Sequence, residues 1–183
     1  MNDKWEAVVS RRDLFRFTLH EARSFAGSAV KGKIHSALLR PPGALPEPAF
    51  LASCLRCGAC IVSCPSKILL TSPPGSGVSF GTPAVNLDKG FCSLCHECAS
   101  SCPSGALGSD AEAGLGKVQI AEKICLATQG NLCGLCIFNC PQKAIVLNRD
   151  NLPTVLTEKC RGCGKCRYLC PTKNAIKFLS TFE

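Results

Sequence analysis

The chain has 183 residues, a formal net charge of +8, sixteen Cys, and only one Trp, one Tyr and one Met. No stretch reaches the roughly 18 consecutive apolar residues of a membrane span. No nucleophile elbow, phosphate-binding loop or paired-carboxylate motif is present, which argues against an enzyme acting on its own substrate.

Residues 1–50 carry no cysteine and form a segment of their own kind. The spacing predicts a helix over 8–29, with Ser10 and Asp13 at its start. On a helical projection Leu14, Phe15, Leu19, Ala22, Phe25, Ala26 and Ala29 share one side, and Arg12, Asp13, Arg16 and Arg23 the other. Residues 41–48, Pro-Pro-Gly-Ala-Leu-Pro-Glu-Pro, are expected to be a stiff extended linker.

Four repeats of one design follow. Cys54, Cys57, Cys60 and Cys64 read C-x2-C-x2-C-x3-C and are closed by Pro65. Ile68-Leu69-Leu70 then has the look of a strand, and Ser72-Pro73-Pro74-Gly75-Ser76-Gly77 of a flexible insertion. Ala84-Val85-Asn86-Leu87 leads into Cys92, Cys95, Cys98 and Cys102, closed by Pro103. Ala106-Leu107 follows. Lys117-Val118-Gln119-Ile120 leads into the third motif, in which Cys125 is separated by seven residues from Cys133, Cys136 and Cys140, closed by Pro141. Ala144-Ile145-Val146-Leu147 leaves it, and Thr154-Val155-Leu156 leads into Cys160, Cys163, Cys166 and Cys170, closed by Pro171. Ala175-Ile176-Lys177-Phe178 ends the pattern.

This is the run by which bacterial ferredoxins bind [4Fe–4S] clusters. A cubane needs four thiolates in tetrahedral directions, and two-residue gaps wrap a tight loop around three of its corners. Zinc takes pairs of C-x2-C knuckles, often with histidine. Disulfides need an oxidising compartment and a pairing geometry that three cysteines in seven residues do not offer. The expectation is four [4Fe–4S] clusters on all sixteen cysteines. The fold class follows: α+β, with two tandem bacterial 2[4Fe–4S] ferredoxin-like units at 51–110 and 111–183 behind the helical segment 1–50.

In two-cluster ferredoxins the fourth cysteine binds the other cluster. Pairing neighbours gives Cys54, Cys57, Cys60 with Cys102; Cys92, Cys95, Cys98 with Cys64; Cys125, Cys133, Cys136 with Cys170; and Cys160, Cys163, Cys166 with Cys140. Neighbours close over shorter loops. Neighbour pairing is the expectation for that reason, and a nested scheme, motif one with four and two with three, is also compatible with the spacing.

Each oxidised cluster with its four thiolates carries about two negative charges, so four sites offset the formal +8. Arg56, Lys67, Lys143, Arg161, Lys165, Arg167 and Lys173 lie in or beside the motifs as counter-charge. A nucleic-acid partner is therefore not expected. His96, between Cys95 and Cys98, reads as a surface histidine able to donate a hydrogen bond to its cluster. Tyr168 reads as packing against a cluster. His20 and His35 have no partner that spacing suggests.

Several features together resemble one family. They are Ser10-Arg11-Arg12, Arg40-Pro41-Pro42, Phe50-Leu51, the Cys54-x-Arg56-Cys57-Gly58-x-Cys60 loop, and Cys125-Leu126-Ala127 before a seven-residue gap. The combination resembles the NapF-type ferredoxins. That resemblance implies a cytoplasmic accessory protein, not an enzyme, which contacts the molybdenum-containing catalytic subunit of periplasmic nitrate reductase and helps load or reduce it. The MauM/NapG-type ferredoxins share the Pro-Pro-Gly-Ala-Leu-Pro-Glu stretch. They imply instead an exported electron carrier beside a quinol oxidase. The charged residues Arg16, His20, Glu21 and Arg23 after the twin arginines depart from an export signal, which favours the cytoplasmic expectation.

Overall fold

The computed structural model describes residues 38–108 and 114–179. The helix expected over 8–29 lies outside the described residues.

Proline sets the plan of each repeat. A residue that precedes proline is pushed out of the helical region. Helix α2 (Ala59–Ser63) therefore stops at Cys64, which is extended at φ −69° and ψ 112° before Pro65. The last helix stops in the same way at Cys170 before Pro171, with φ −69° and ψ 121°. A turn then reverses the chain. The N–H of Lys67 donates to the Cys64 carbonyl, and that of Lys143 to the Cys140 carbonyl. Lys67 and Lys143 are left-handed here, at φ 52° and 47°, and Gly105 takes the same place after Pro103. The next residue is driven inward: Ile68, Ala106, Ala144 and Ala175 are each 1% exposed. The fourth repeat has one more residue in this turn, absorbed by the 3-10 turn Lys173–Ala175.

The remaining elements are α1 (Glu47–Ser53), α3 (Glu97–Ser100), α4 (Leu135–Phe138) and α5 (Lys165–Leu169). The strands are β1 (Leu69–Thr71), β2 (Pro83–Val85), β3 (Lys117–Ile120), β4 (Ile145–Leu147), β5 (Pro153–Val155) and β6 (Ile176–Leu179). They fall within two residues of the strand-like runs in the sequence. All described sheets are two-stranded and antiparallel. The strand leaving one motif pairs with the strand approaching its neighbour: β1 with β2, Leu69 opposite Val85, and β4 with β5, Ile145 opposite Val155. The outer pair closes each half. β3 pairs with β6, Val118 opposite Phe178, and in the first half a single bridge joins Ala44 to Leu107. Each half is thus built from two repeats with a core of its own. Phe50, Ile68, Leu69, Ala99 and Leu107 fill the first, and Val118, Ile145 and Ile176 the second.

Two expectations are corrected. Residues 41–48 are not an extended linker. The Ala44 N–H closes a turn on the Pro41 carbonyl, Leu45 donates to the Ala106 carbonyl, and α1 begins at Glu47. The reason is Arg40, which is 4% exposed. Its Nε donates to Glu47 Oε2 at 2.9 Å, and its Nη1 donates to Thr82 Oγ1 and the Pro83 carbonyl, both at 2.8 Å. The guanidinium lies 4.7 Å over the Phe50 ring. The second correction concerns 72–77. Ser72 is buried, and its N–H donates to the Thr82 carbonyl at 2.8 Å. This insertion is pinned at its base and continues into the 3-10 turn Gly77–Ser79.

Candidate metal centres

The C-x2-C-x2-C loops owe their shape to paired left-handed residues on either side of the second cysteine. These are Arg56 (φ 55°) and Gly58 (77°), Leu94 (59°) and His96 (60°), and Gly162 (62°) and Gly164 (79°). Successive amides of such a loop turn to one side and form an anion-binding concavity. Side chains hold the loop open: Arg56 Nε donates to the Phe80 carbonyl at 3.0 Å and its Nη2 to that of Val78 at 3.1 Å. The third loop differs, since Gly134 sits at φ −136°. Its seven-residue gap folds back on itself. Thr128 Oγ1 donates to the Cys125 carbonyl at 2.7 Å and also to that of Glu122, and the Asn131 N–H donates to the Leu126 carbonyl at 3.0 Å.

Short helices then pack in pairs, α2 on α3 and α4 on α5. Ser63 Oγ, at the end of α2, lies 2.9 Å from Ser101 Oγ beyond α3. This packing brings each closing cysteine to the neighbouring loop.

The thiol electrostatics follow from burial and from the neighbouring cysteines. Burial pushes Cys60 up to about 11, reinforced by the charges of Cys102, Cys54 and Cys57. Burial likewise pushes Cys92 up to about 11, eased by the Leu94 N–H and reinforced by Cys98, Cys95 and Cys64. Cys136 rises to about 11 through burial and then Cys125 and Cys133, with Cys170 contributing. Cys166 rises to about 12 through burial and then Cys163 and Cys160. Cys163 is raised by burial, with Cys140 and Cys160 adding to it. Four quartets result, and they are the neighbour-paired sets: 54, 57, 60 and 102; 92, 95, 98 and 64; 125, 133, 136 and 170; 160, 163, 166 and 140. Within each half the quartets also touch electrostatically, Cys98 feeling Cys60 and Cys166 feeling Cys136. Cys102 moves the other way. Burial alone would raise it, but hydrogen bonds from the Leu107 N–H and from Ser104 and Ala106 bring it below the usual thiol range.

All sixteen thiols are free of disulfides, and a donor set of four thiolates is the one that a [4Fe–4S] cluster takes. A shallow pocket open at its mouth is lined by Cys54, Cys57, Cys60 and Cys102 with Phe50, Arg56 and Pro103. Cys57 and Cys95 remain at the surface, while Cys60, Cys98, Cys125 and Cys166 are buried.

His96 is not a plain surface histidine. It caps α3 in the left-handed conformation, and both ring nitrogens are covered and without a hydrogen-bond partner. Tyr168 packs against the ring of Phe91, with centroids 6.0 Å apart. The residues that sequence reasoning missed are Asp88 and Phe91. Neither belongs to a motif, and their partners lie far away in the sequence.

Quartets of thiols on paired loops, closed by two-stranded sheets, define an iron–sulfur protein of the ferredoxin type. A family model described as "4Fe-4S dicluster domain" matches residues 53–106 and again 129–174. The chain is 40% identical over 162 residues to the ferredoxin-type protein NapG of Escherichia coli (strain K12), covering 77% of this chain and 70% of NapG. It is 37% identical over 186 residues to the methylamine utilization ferredoxin-type protein MauM of Methylorubrum extorquens, covering 88% and 84%. It is 36% identical over 138 residues to the ferredoxin-type protein NapF of E. coli, covering 73% and 80%. The chain belongs to this NapF/NapG/MauM family of ferredoxin-type proteins, which are electron carriers rather than enzymes.

Proposed function

We propose that the chain is a four-cluster electron relay, holding one [4Fe–4S] cluster on each of its four cysteine quartets. The observation that carries this is the use of every cysteine: all sixteen are free and fall in four motifs of one design, along which a 4Fe-4S dicluster model matches twice. Bound there, a cluster supplies one-electron chemistry at a potential set by its surroundings. The chain does the rest. Its loops offer inward-facing amides, and its cross-tied cysteines hold rather than release what they bind. Its lysines and arginines offset the thiolate charge, and its two cores fix the sites in pairs. A scaffold that hands clusters on would not tie each site to a second motif.

The test is retention under turnover. Anaerobically loaded protein is reduced with dithionite and reoxidised with a one-electron acceptor such as a c-type cytochrome, repeatedly. The relay should keep its iron through every cycle. Transfer of iron and sulfide to an apo-ferredoxin would mark a scaffold.

The partner follows from the family. One reading places the chain with its NapG and MauM relatives, passing electrons between a quinol oxidase and a periplasmic enzyme. The second is the cytoplasmic accessory role toward the molybdenum-containing catalytic subunit of periplasmic nitrate reductase. One observation favours the second: the charged residues Arg16, His20, Glu21 and Arg23 follow the twin arginines. Residues 1–45 fused to a reporter that is active only after twin-arginine export decide between them. Silence supports the cytoplasmic role and strong activity the exported one.

A further inference from the structure

The halves of the chain meet along one seam, and it is built from motif two against motif four. The Cys92 N–H donates to the Cys163 carbonyl at 2.8 Å. Leu87 is buried there beside Gly164, where a Cβ would stand 2.7 Å from Leu87 Cδ2. The Phe91 ring lies between Tyr168, at 6.0 Å, and the Lys165 ammonium, 5.3 Å over its centroid. Asp88 accepts from Lys173 Nζ at 2.8 Å and faces Arg167 Nη1 at 3.7 Å. Two cations thus meet one carboxylate, with Lys165 over Phe91 as a third cation at the seam, and their charge lowers the repulsion between two sites that are both negative when loaded.

We propose that electrons cross between the halves at the Cys92–Cys163 contact. The four sites would then form a line in the order first, second, fourth, third motif, with the first and third quartets at its ends. This rests on the relay function proposed above, and it differs from the order of motifs along the chain, which would join the second to the third. Within each half the line continues where the two motifs pack together, α2 on α3 and α4 on α5. The step balances simply. The site of Cys92 loses one electron as the site of Cys163 gains one. No bond forms or breaks, and the outside donor and acceptor are one-electron redox proteins.

The test uses full-length, iron-loaded protein with one site removed from each half. Cys57→Ala with Cys133→Ala leaves the second and fourth quartets, and Cys57→Ala with Cys160→Ala leaves the second and third. Each should hold about eight iron. After reduction with dithionite, the first variant should show an EPR spectrum split by spin–spin interaction, and the second two independent signals. Splitting in the second variant but not the first overturns the order. Protein that holds iron but shows no coupling in either variant also overturns it while leaving the relay standing. Protein without reducible clusters sinks the relay itself. Gly164→Ala alone offers a check with all cysteines in place. Its Cβ should wedge against Leu87 and weaken the coupling between halves at unchanged iron content, and adding Leu87→Ala should restore it. Unchanged coupling in Gly164→Ala overturns the proposal.

Discussion

Arg40 shows how one side chain turns a proline-rich stretch into part of a core. It is buried with its charge, and its donors reach Glu47, Thr82 and Pro83. Removing one partner of such a buried set leaves the others unpaired, which typically costs a few kcal/mol. Arg40→Ala should lower the stability of the loaded protein by about 3 kcal/mol, read as a drop in the denaturation midpoint at unchanged iron content. A change within error would mean that solvent replaces these contacts without cost. Cys64 makes a sharper case. It lies in motif one but among Cys92, Cys95 and Cys98. Cys64→Ala should therefore damage the site of motif two and spare that of motif one. Loss coupled to motif four instead would favour the nested pairing. The cysteine motifs were legible from spacing alone, since a 4Fe-4S site demands that spacing and a dicluster model matches twice along them. Arg40 was not, since the partners Thr82 and Pro83 are 42 and 43 residues away. Locally, Pro41-Pro42 predicts only an extended chain.

Among the elements, the strands were legible and the turns partly so. Runs such as Lys117-Val118-Gln119-Ile120 carry β-branched residues between turn signals, and they became β3 without shift. What joins them was not legible, because β3 pairs with a strand nearly sixty residues on. The bridge from Ala44 to Leu107 was hidden for the same reason. Gly43 makes that bridge possible. It sits at φ +76°, and a Cβ would lie 2.1 Å from the Gly108 carbonyl oxygen. Gly75 is also left-handed, at φ +93°, but opens on free space. Gly43→Ala should cost roughly 2 kcal/mol or more, since strain and a backbone collision add. Gly75→Ala should cost about 1 kcal/mol. Equal melting temperatures for the two variants would contradict the packing described. The loops also make loading depend on pH. Burial pushes Cys60, Cys92, Cys98 and Cys136 up to about 11 and Cys166 up to about 12. These five thiols are therefore protonated at neutral pH when iron-free, whereas cluster-bound thiolates are not. Loading should release protons and strengthen as pH rises toward those values. Proton uptake in weakly buffered anaerobic reconstitution would reverse that sign.

At the scale of the molecule, charge and cohesion depend on the clusters. The bare chain carries a formal +8, and four loaded sites bring about eight negative charges in return. The two small cores bury few large side chains, so metal ligation should supply much of the folding free energy. Removing the iron should unfold both halves, a loss visible by circular dichroism. The seam between the halves adds one backbone hydrogen bond, the buried Leu87 and a few ion pairs, of which Asp88 with Lys173 is the best formed. The hydrogen bond from Lys173 holds the Asp88 carboxyl below its usual range. A lowered carboxyl stabilises above its unfolded pKa and loses that contribution only as pH falls through the folded one. The pair should therefore persist through mild acid.

The central claim is that sixteen cysteines hold four cubanes, and elemental analysis tests it most directly. Anaerobically purified protein should contain about 16 iron and about 16 acid-labile sulfide per chain, with a broad visible absorbance that bleaches on adding dithionite. Stoichiometric zinc with no sulfide would contradict the account.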